Sequence, residues 1–382
     1  MTRRIALAIV LVAAFAVPAA AARRHTPGRP VAPATFICGR WTPVALPSLG
    51  MSEVPSDVVT ISPTDAWVVG TYLTGQSRLG ALVLRWNGRT WSQVPFPVMN
   101  RSVVLDAVAA RGPDAVWAVG HVVGARGVAF PIAAMWDGTA WRMTPLPHGL
   151  GHGQLNDVAA IPGTGSLWAV GWHTMRDAPR PLALRWDGGA WRLVPSPHYR
   201  HWVLLNGVAA RGPNEAFAVG SWSTETSAGA NLIERWNGRA WTKVRAPAPP
   251  LASQLNAVAF GPSGSAWAVG DVQHARTRGL VLRWDGHAWA IARRFVPPSR
   301  VLDVLQVAPD DAWAVGGWSP HPHRTYEAPF VARRHGSPWI RTGVTMAPTA
   351  STIVGISGTP HDLWIVAQHE GDVGPALASH WC

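Results

Sequence analysis

The chain has 382 residues, a formal charge of +12 and 23 tryptophans. The positive balance is arginine: lysine occurs once, at Lys243, and arginines recur singly at Arg85, Arg185, Arg235 and Arg283 without forming runs, which argues against nucleic acid as the partner. The one long apolar run lies at the start of the chain, so no further segment is expected to span a membrane.

In chain order, Arg3-Arg4, the apolar stretch Ile5 to Val17 and the small residues Ala19 to Ala22 read as a secretory signal peptide over 1–22. Export by the general secretory or the twin-arginine route is left open, and the expected location is extracellular or on the cell surface. Residues 23–35, basic and proline-rich, read as an extended linker. Residues 36–382 read as one domain built of repeats.

The tetrapeptide Trp-Ala-Val-Gly or a close variant begins at Trp67, Trp117, Trp168, Phe217, Trp267, Trp313 and Trp364. A second signature, Arg-Trp-Asp/Asn-Gly-x-x-Trp, follows it, with first tryptophans at Trp86, Trp136, Trp186, Trp236, Trp284 and Trp381. Its second tryptophans are Trp91, Trp141, Trp191, Trp241, Trp289 and Trp339, and Arg334 takes the first slot in the sixth unit. Each unit holds four strand patterns, exemplified by Asp106–Ala110, Val116–Val119, Leu182–Trp186 and Ala190–Val194. Asn87-Gly88, Asp137-Gly138, Asp187-Gly188, Asn237-Gly238 and Asp285-Gly286 separate the last two and predict type I′ hairpin turns. Prolines after the fourth strand, such as Pro95, Pro145 and Pro195, stop it. Four antiparallel strands per unit of about 50 residues predict an all-β, seven-bladed β-propeller.

The seventh unit runs out after its third strand, at Ala376 to Trp381. The missing fourth strand matches the N-terminal segment from Cys38 to Val44, placing residues 36–46 in the last blade. That pairing closes the ring and brings the only two cysteines, Cys38 and Cys382, side by side, where an exported protein would join them in a disulfide.

Nineteen tryptophans occupy repeat slots and are expected between blades. Trp172, Trp202, Trp222 and Trp318 fall outside them; with Tyr72 and the histidines His201 and His323 they are assigned to the face bearing the long loops. Function is expected there, since the opposite turns are short and regular. A polar residue opens each first strand: Asp57, Asp106, Asn156, Asn206, Asn256, Asp303 and Thr352. In one register these would ring the channel mouth on that face, and calcium, an oxygen-seeking ion, is the cofactor such a ring would hold; the competing reading is that each side chain caps its own turn. His321-Pro322-His323 does not supply the three or four ligands of a zinc site. Carboxylates for glycoside hydrolysis could come from Glu225, Asp271, Glu327 or Glu370, with no spacing that selects a pair. No nucleophile-elbow motif and no phosphate-binding loop occurs.

The Trp-Asp/Asn-Gly-x-x-Trp turns from Asn87-Gly88 to Asp285-Gly286 resemble the Asp-box of sialidase-like propellers, without its leading Ser-x-Asp. The sialidase arginine triad and Phe/Tyr-Arg-Ile-Pro segment have no counterpart. The repeats are also similar to the secreted Trp-Ala-Val-Gly propellers of high-GC bacteria. The resemblance implies the fold across the mature chain. The expected function is a non-enzymatic, monomeric extracellular scaffold binding a glycan, cell-wall polymer or protein through its long-loop face. The alternative is a glycan-cleaving hydrolase or lyase at the channel mouth.

Overall fold

A computed structural model describes residues 38–50, 52–74, 78–97, 99–175, 178–200, 202–223, 229–247, 249, 251–273, 277–295, 299–319, 328–336, 338–344, 346, 351–369 and 377–382. The signal peptide and linker assigned to 1–35 lie outside these residues.

Period-two alternation and tight turns give seven four-stranded antiparallel sheets, each paired in sequence order from the first strand to the fourth. Blade 1 comprises Glu53–Ser62, Asp65–Leu73, Leu79–Trp86 and Trp91–Gln93. Blade 2 runs from Ser102 to Met143, blade 3 from Gly153 to Leu193, and blade 4 from Trp202 to Val244. Blade 5 runs from Ser253 to Arg294 and blade 6 from Ser299 to Arg341. Blade 7 takes Ser351–Thr359, Asp362–His369 and Leu377–Trp381 from the end of the chain and Thr42–Ala45 from its beginning. Thr42 lies opposite His380 and Ala45 opposite Leu377. One 3₁₀ turn, Ala125–Gly127, interrupts the β structure.

The hairpin turns differ from the type I′ expectation. Gly88, Gly138, Gly188, Gly238 and Gly286 have φ between +89° and +106°, but the Asn or Asp before each does not adopt positive φ. Asn87 still bonds across the hairpin, its N–H donating to Thr90 O at 3.3 Å. Because only the glycine of each loop takes positive φ, a type I′ turn, which needs it at both central residues, is excluded. The Asn87 side chain contributes by accepting the N–H groups of Arg89 and Thr90 at 3.0 and 2.9 Å. Gly39, at φ +84°, fills the same slot across the chain break, and its N–H donates to Cys382 O at 3.0 Å.

The glycine of the Trp-Ala-Val-Gly signature answers a different constraint. Each first strand carries a one-residue bulge at Ser56, Asp106, Asn156, Asn206, Asn256, Leu302 or Val354. The bulge pushes first-strand backbone against the facing second-strand residue. A Cβ on Gly120 would sit 2.1 Å from Val104 O, and one on Gly171 2.0 Å from Gln154 O. Blade 7 carries Ala367 at this position.

Between blades, the second-strand aromatic of one sheet packs against the third- and fourth-strand tryptophans of the next. Trp67 meets Trp136 and Trp141 at 5.2 and 5.5 Å between ring centroids, and Trp168 meets Trp236 and Trp241 at 4.9 Å each. The pattern runs round the ring. Phe217 meets Trp284 and Trp289, and Trp313 meets Trp41 and Trp381. Trp364 returns to Trp86 and Trp91 of blade 1. Where blade 6 has Arg334 instead of tryptophan, its guanidinium lies 5.5 Å from the Trp267 ring. In five blades an arginine at the position before the third-strand tryptophan slot caps the cluster from its own blade: Arg85 lies over Trp67, Arg185 over Trp168, Arg235 over Phe217, Arg283 over Trp267 and Arg333 over Trp313. Asp65, Glu215 and Asp311 bind the Arg85, Arg235 and Arg333 guanidiniums at 2.7 to 2.8 Å.

Cys38 and Cys382 form a disulfide across 344 residues of sequence. By the chain-entropy argument a loop of this length stabilises by roughly 5–6 kcal/mol at most. Cys38→Ser with Cys382→Ser should therefore lower the urea midpoint markedly, and reductant should do the same to the native protein but not to the variant. Trp168→Ala should cost about 3–5 kcal/mol in the same assay, because a fully buried ring leaves a cavity on both sides of a blade boundary.

Candidate functional site

First strands lie innermost and approach one another closely: a Cβ on Gly355 of blade 7 would lie 3.2 Å from Asp57 Cα of blade 1. Loops joining second to third strands and successive blades share one face, the long-loop face. The turns within the first–second and third–fourth pairs share the other.

The bulge breaks the single polar ring expected from sequence. Asp106, Asn156, Asn206 and Asn256 occupy the bulge itself. Asp57 and Asp303 come one residue later, and Thr352 two residues before its bulge. Because side chains alternate with period two, a one-residue slip re-aims them. The true counterpart of Asp57 and Asp303 is Asp157, which sequence comparison passed over because Asn156 beside it aligned with the polar residues of other blades.

These side chains staple blades together and do not cap only their own turns. Asp57 accepts Val58 N–H at 2.7 Å and, from blade 2, Val108 N–H at 2.9 Å. Asp157 does the same with Val158 and Val208, both at 2.7 Å, and Asp303 with Val304 and Ile356 at 2.7 and 2.8 Å. The asparagines donate instead. Asn156 donates to Leu205 O at 2.7 Å, Asn206 to Leu255 O at 2.9 Å and Asn256 to Val301 O at 2.8 Å.

Burial between the inner strands pushes the Asp157 carboxyl up to about 7 and Asp303 up to about 6. Asp57 is held well above the carboxylate range by burial first, then by the negative charges of Asp303 and Asp157. The three carboxyls thus share one stretch of channel. Among the described residues no three His, Cys, Asp or Glu side chains are arranged to enclose a metal ion.

On the long-loop face, three of the five extra aromatics are covered. Tyr72 lies across Gly80, where an added Cβ would meet its ring at 2.7 Å. Trp222 has the Lys243 ammonium 5.0 Å from its centroid, and Trp318 the Arg341 guanidinium at 3.8 Å. Trp172 and Trp202 are half-buried and make no ring contact among the described residues. Trp172 faces blade 4, whose innermost strand opens with Trp202, and stands opposite Gln154. Gln154 donates to Asn156 Oδ1 at 2.6 Å. In the preceding blade His121 Nδ1 lies 3.0 Å from Asp106 Oδ2, a half-buried pair on the same side. His201 and His323 lie outside the described residues, as do Glu225, Glu327 and Glu370. Asp271, the described candidate for catalysis, is buried and occupied: it accepts Val301 N–H at 3.0 Å and Asn256 Nδ2 at 3.2 Å, and burial raises its carboxyl despite Arg300.

Sequence reasoning missed a second buried carboxylate. Glu234 occupies a third-strand core slot filled by Leu84, Leu184 and Leu282 elsewhere, is fully buried, and accepts the Tyr199 hydroxyl at 2.8 Å. Burial pushes it up to about 7. The lone charged residue in a column of leucine, alanine and serine was the available signal.

Sheet number, order and closure define a seven-bladed β-propeller with a disulfide-locked last blade. No family model and no curated protein matches this chain. Solved propellers do. YCF48 bound to a D1 peptide is 19% identical, with 92% of this chain and 98% of that one covered and a TM-score of 0.57. A polysaccharide lyase of family PL25, an ulvan lyase, is 11% identical over 88% and 95% of the two chains, with a TM-score of 0.59. The WD40 propeller domain of Doa1 is 12% identical over 90% and 97%, with a TM-score of 0.58. At these identities the likeness is one of fold.

A carboxyl whose pKa is raised on folding holds its proton more tightly in the folded state, so its contribution is present at low pH and lost as pH rises from about 4 towards 7. The urea midpoint should therefore fall between pH 5 and pH 8, and this fall should shrink in Asp57→Asn/Asp157→Asn/Asp303→Asn. A midpoint that rises over that range would contradict the assignment.

Proposed function

We propose that this protein is a secreted, non-catalytic scaffold that binds a glycan on its long-loop face, with Trp172 and Trp202 as the stacking platform. One observation supports the reading: these two partly buried rings stand at the same end of adjoining blades and make no ring or cation contact among the described residues, while the neighbouring loop aromatics, buried to a similar degree, are each packed under a cation or over a glycine. Flat indole faces suit the apolar faces of sugar rings, and Gln154, opposite Trp172, supplies a hydrogen-bonding group beside them. Apart from Asp106, the described carboxylates on the innermost strands, Asp57, Asp157 and Asp303, are engaged by backbone amides of the next blade, which favours recognition over hydrolysis. The disulfide, and the lack of any helix among the described residues long and apolar enough to cross a membrane, suit export.

A second reading rests on Asp106 and His121. A histidine held through Nδ1 by a carboxylate presents Nε2 as a proton acceptor, the arrangement of a general base, and would suit a glycan-cleaving enzyme.

A glycan array probed with the mature protein should give binders. Trp172→Ala and Trp202→Ala should each weaken binding at least about tenfold, equivalent to about 1.4 kcal/mol, without a matching loss of thermal stability. Incubation of a bound glycan should release no shorter product. Product release that disappears in His121→Gln, with binding retained, would replace this reading by the enzymatic one.

A further inference from the structure

The fourth strand of each blade is outermost in its sheet, and one row of its backbone N–H and C=O groups has no strand beyond it. Six of the seven blades keep this edge short, with fourth strands of three or four residues. Pro95, Pro145 and Pro195 stop it in blades 1 to 3, and in blade 7 Pro43 lies within it. Blade 5 differs. Its fourth strand runs six residues, Trp289–Arg294, and all of them but Trp289 are exposed. Phe295 prolongs the ladder by donating its N–H to Gly279 O at 2.9 Å, and the first proline after it is Pro297.

The bond from Asp285 N–H to Ala288 O closes this hairpin. By antiparallel alternation the N–H and C=O of Ala290 point to the third strand, and those of Trp289 and Ile291 point outward. An extended segment laid along the edge meets these groups, which is the geometry of β-strand addition. The exposed Ile291 side chain offers apolar contact beside them. A bulge at Ala292 sets what flanks the edge. Arg294 pairs with Leu280 and so shares the side of Ile291, while Arg293 pairs with Val281 and takes the other side.

Blade 5 is also basic in its full sequence. From Leu251 to Pro298 stand Arg276, Arg278, Arg283, Arg293 and Arg294 against two carboxylates, Asp271 and Asp285. Asp271 is buried, and Asp285 accepts the N–H groups of His287 and Ala288 at 2.8 Å each. A second copy of this edge would bring two arginine pairs into one short sheet, so like charge disfavours self-pairing and selects a segment of opposite sign.

We propose that blade 5 accepts a fifth strand from a protein partner: an extended acidic segment whose backbone pairs with Trp289–Arg294 and whose carboxylates meet Arg293 and Arg294. Guanidinium groups bind carboxylates in a bidentate fork, so the two arginines fix the position of the incoming strand as well as attract it. This site is separate from the glycan reading, which concerns blades 3 and 4, and each stands or falls without the other.

The probe is a fluorescently labelled peptide of alternating Val and Glu, about eight residues long to span the edge, titrated into the mature, disulfide-bonded protein. A counterpart with Lys for Glu should bind at least about tenfold more weakly. So should one with Pro for Val, which keeps the charge but cannot join a ladder. Ile291→Pro removes an outward N–H and should weaken binding at least about tenfold, and Arg293→Gln/Arg294→Gln should lose most of the preference for Glu over Lys. Arg192→Gln, on the edge of blade 3, should change neither. Thermal unfolding verifies that the variants remain folded. Hydrogen exchange on the unmutated protein gives a check that needs no variant: bound peptide should slow the amides of Trp289 and Ile291 and not those of Trp191 and Leu193, their counterparts in blade 3. Equal binding of the proline peptide, unchanged exchange at Trp289 and Ile291, or no binding of the Val-Glu peptide overturns the proposal. A dimer of the unmutated protein that Ile291→Pro separates also overturns it, by putting a second copy of this chain on the edge.

Discussion

The contact between an indole on one sheet and two indoles on the next is the constraint on which this molecule depends. Seven twisted sheets cannot close into a ring unless the wedge between neighbours is filled at constant thickness, and a tryptophan cluster fills it with large rigid surfaces in edge-to-face and tilted geometry. The guanidinium over clusters such as those at Trp67, Trp168 and Trp313 extends the same packing towards solvent, and where blade 6 lacks a tryptophan Arg334 supplies a planar substitute. Part of the chain's positive charge is thus architectural. Arg85, Arg235 and Arg333 are at once ring caps and partners of carboxylates at the start of their second strands.

The inner surface obeys a different constraint. Seven first strands converge, and their backbones come close enough that Gly207 and Gly355 have no room for a Cβ without displacing a neighbour. Side chains that reach across this narrow gap to the next blade's amides and carbonyls fix the rotational register of the wheel. Asp57, Asp157 and Asp303 do so at the cost of concentrating negative charge in one channel, and protonation relieves that cost. The polar lining that looks like a binding ring is largely committed to holding the ring together, and this moves the candidate binding surface outward to the loops.

On the loops, the aromatic residues divide by what lies above them. Tyr72, Trp222 and Trp318 complete the core at the rim of their blades, whereas Trp172 sits one position earlier along its strand and faces the next blade. That single-residue offset separates a packing residue from a candidate ligand contact, since opposite sides of a strand meet different neighbours.

Sequence alone determined the blade count, the strand order, the shared seventh sheet and the cysteine pairing, because each follows from a spacing that repeats and from a fourth strand missing at one end and present at the other. It also placed the tryptophans between blades. Tertiary structure decided everything that depends on register across sheets. The bulge moved Asp57, Asp157 and Asp303 into one ring and Asp106 and the asparagines into another, a shift of one residue that no repeat alignment records because the bulged residue itself is variable. The turn departed from type I′ because only its glycine takes positive φ, while the Asn or Asp side chain before it accepts the amides two and three residues on. Which loop aromatics take a cation was likewise invisible in sequence: Lys243 over Trp222 and Arg341 over Trp318 come from the fourth strands of the same blades, and only the folded sheet brings a cation to a ring's face.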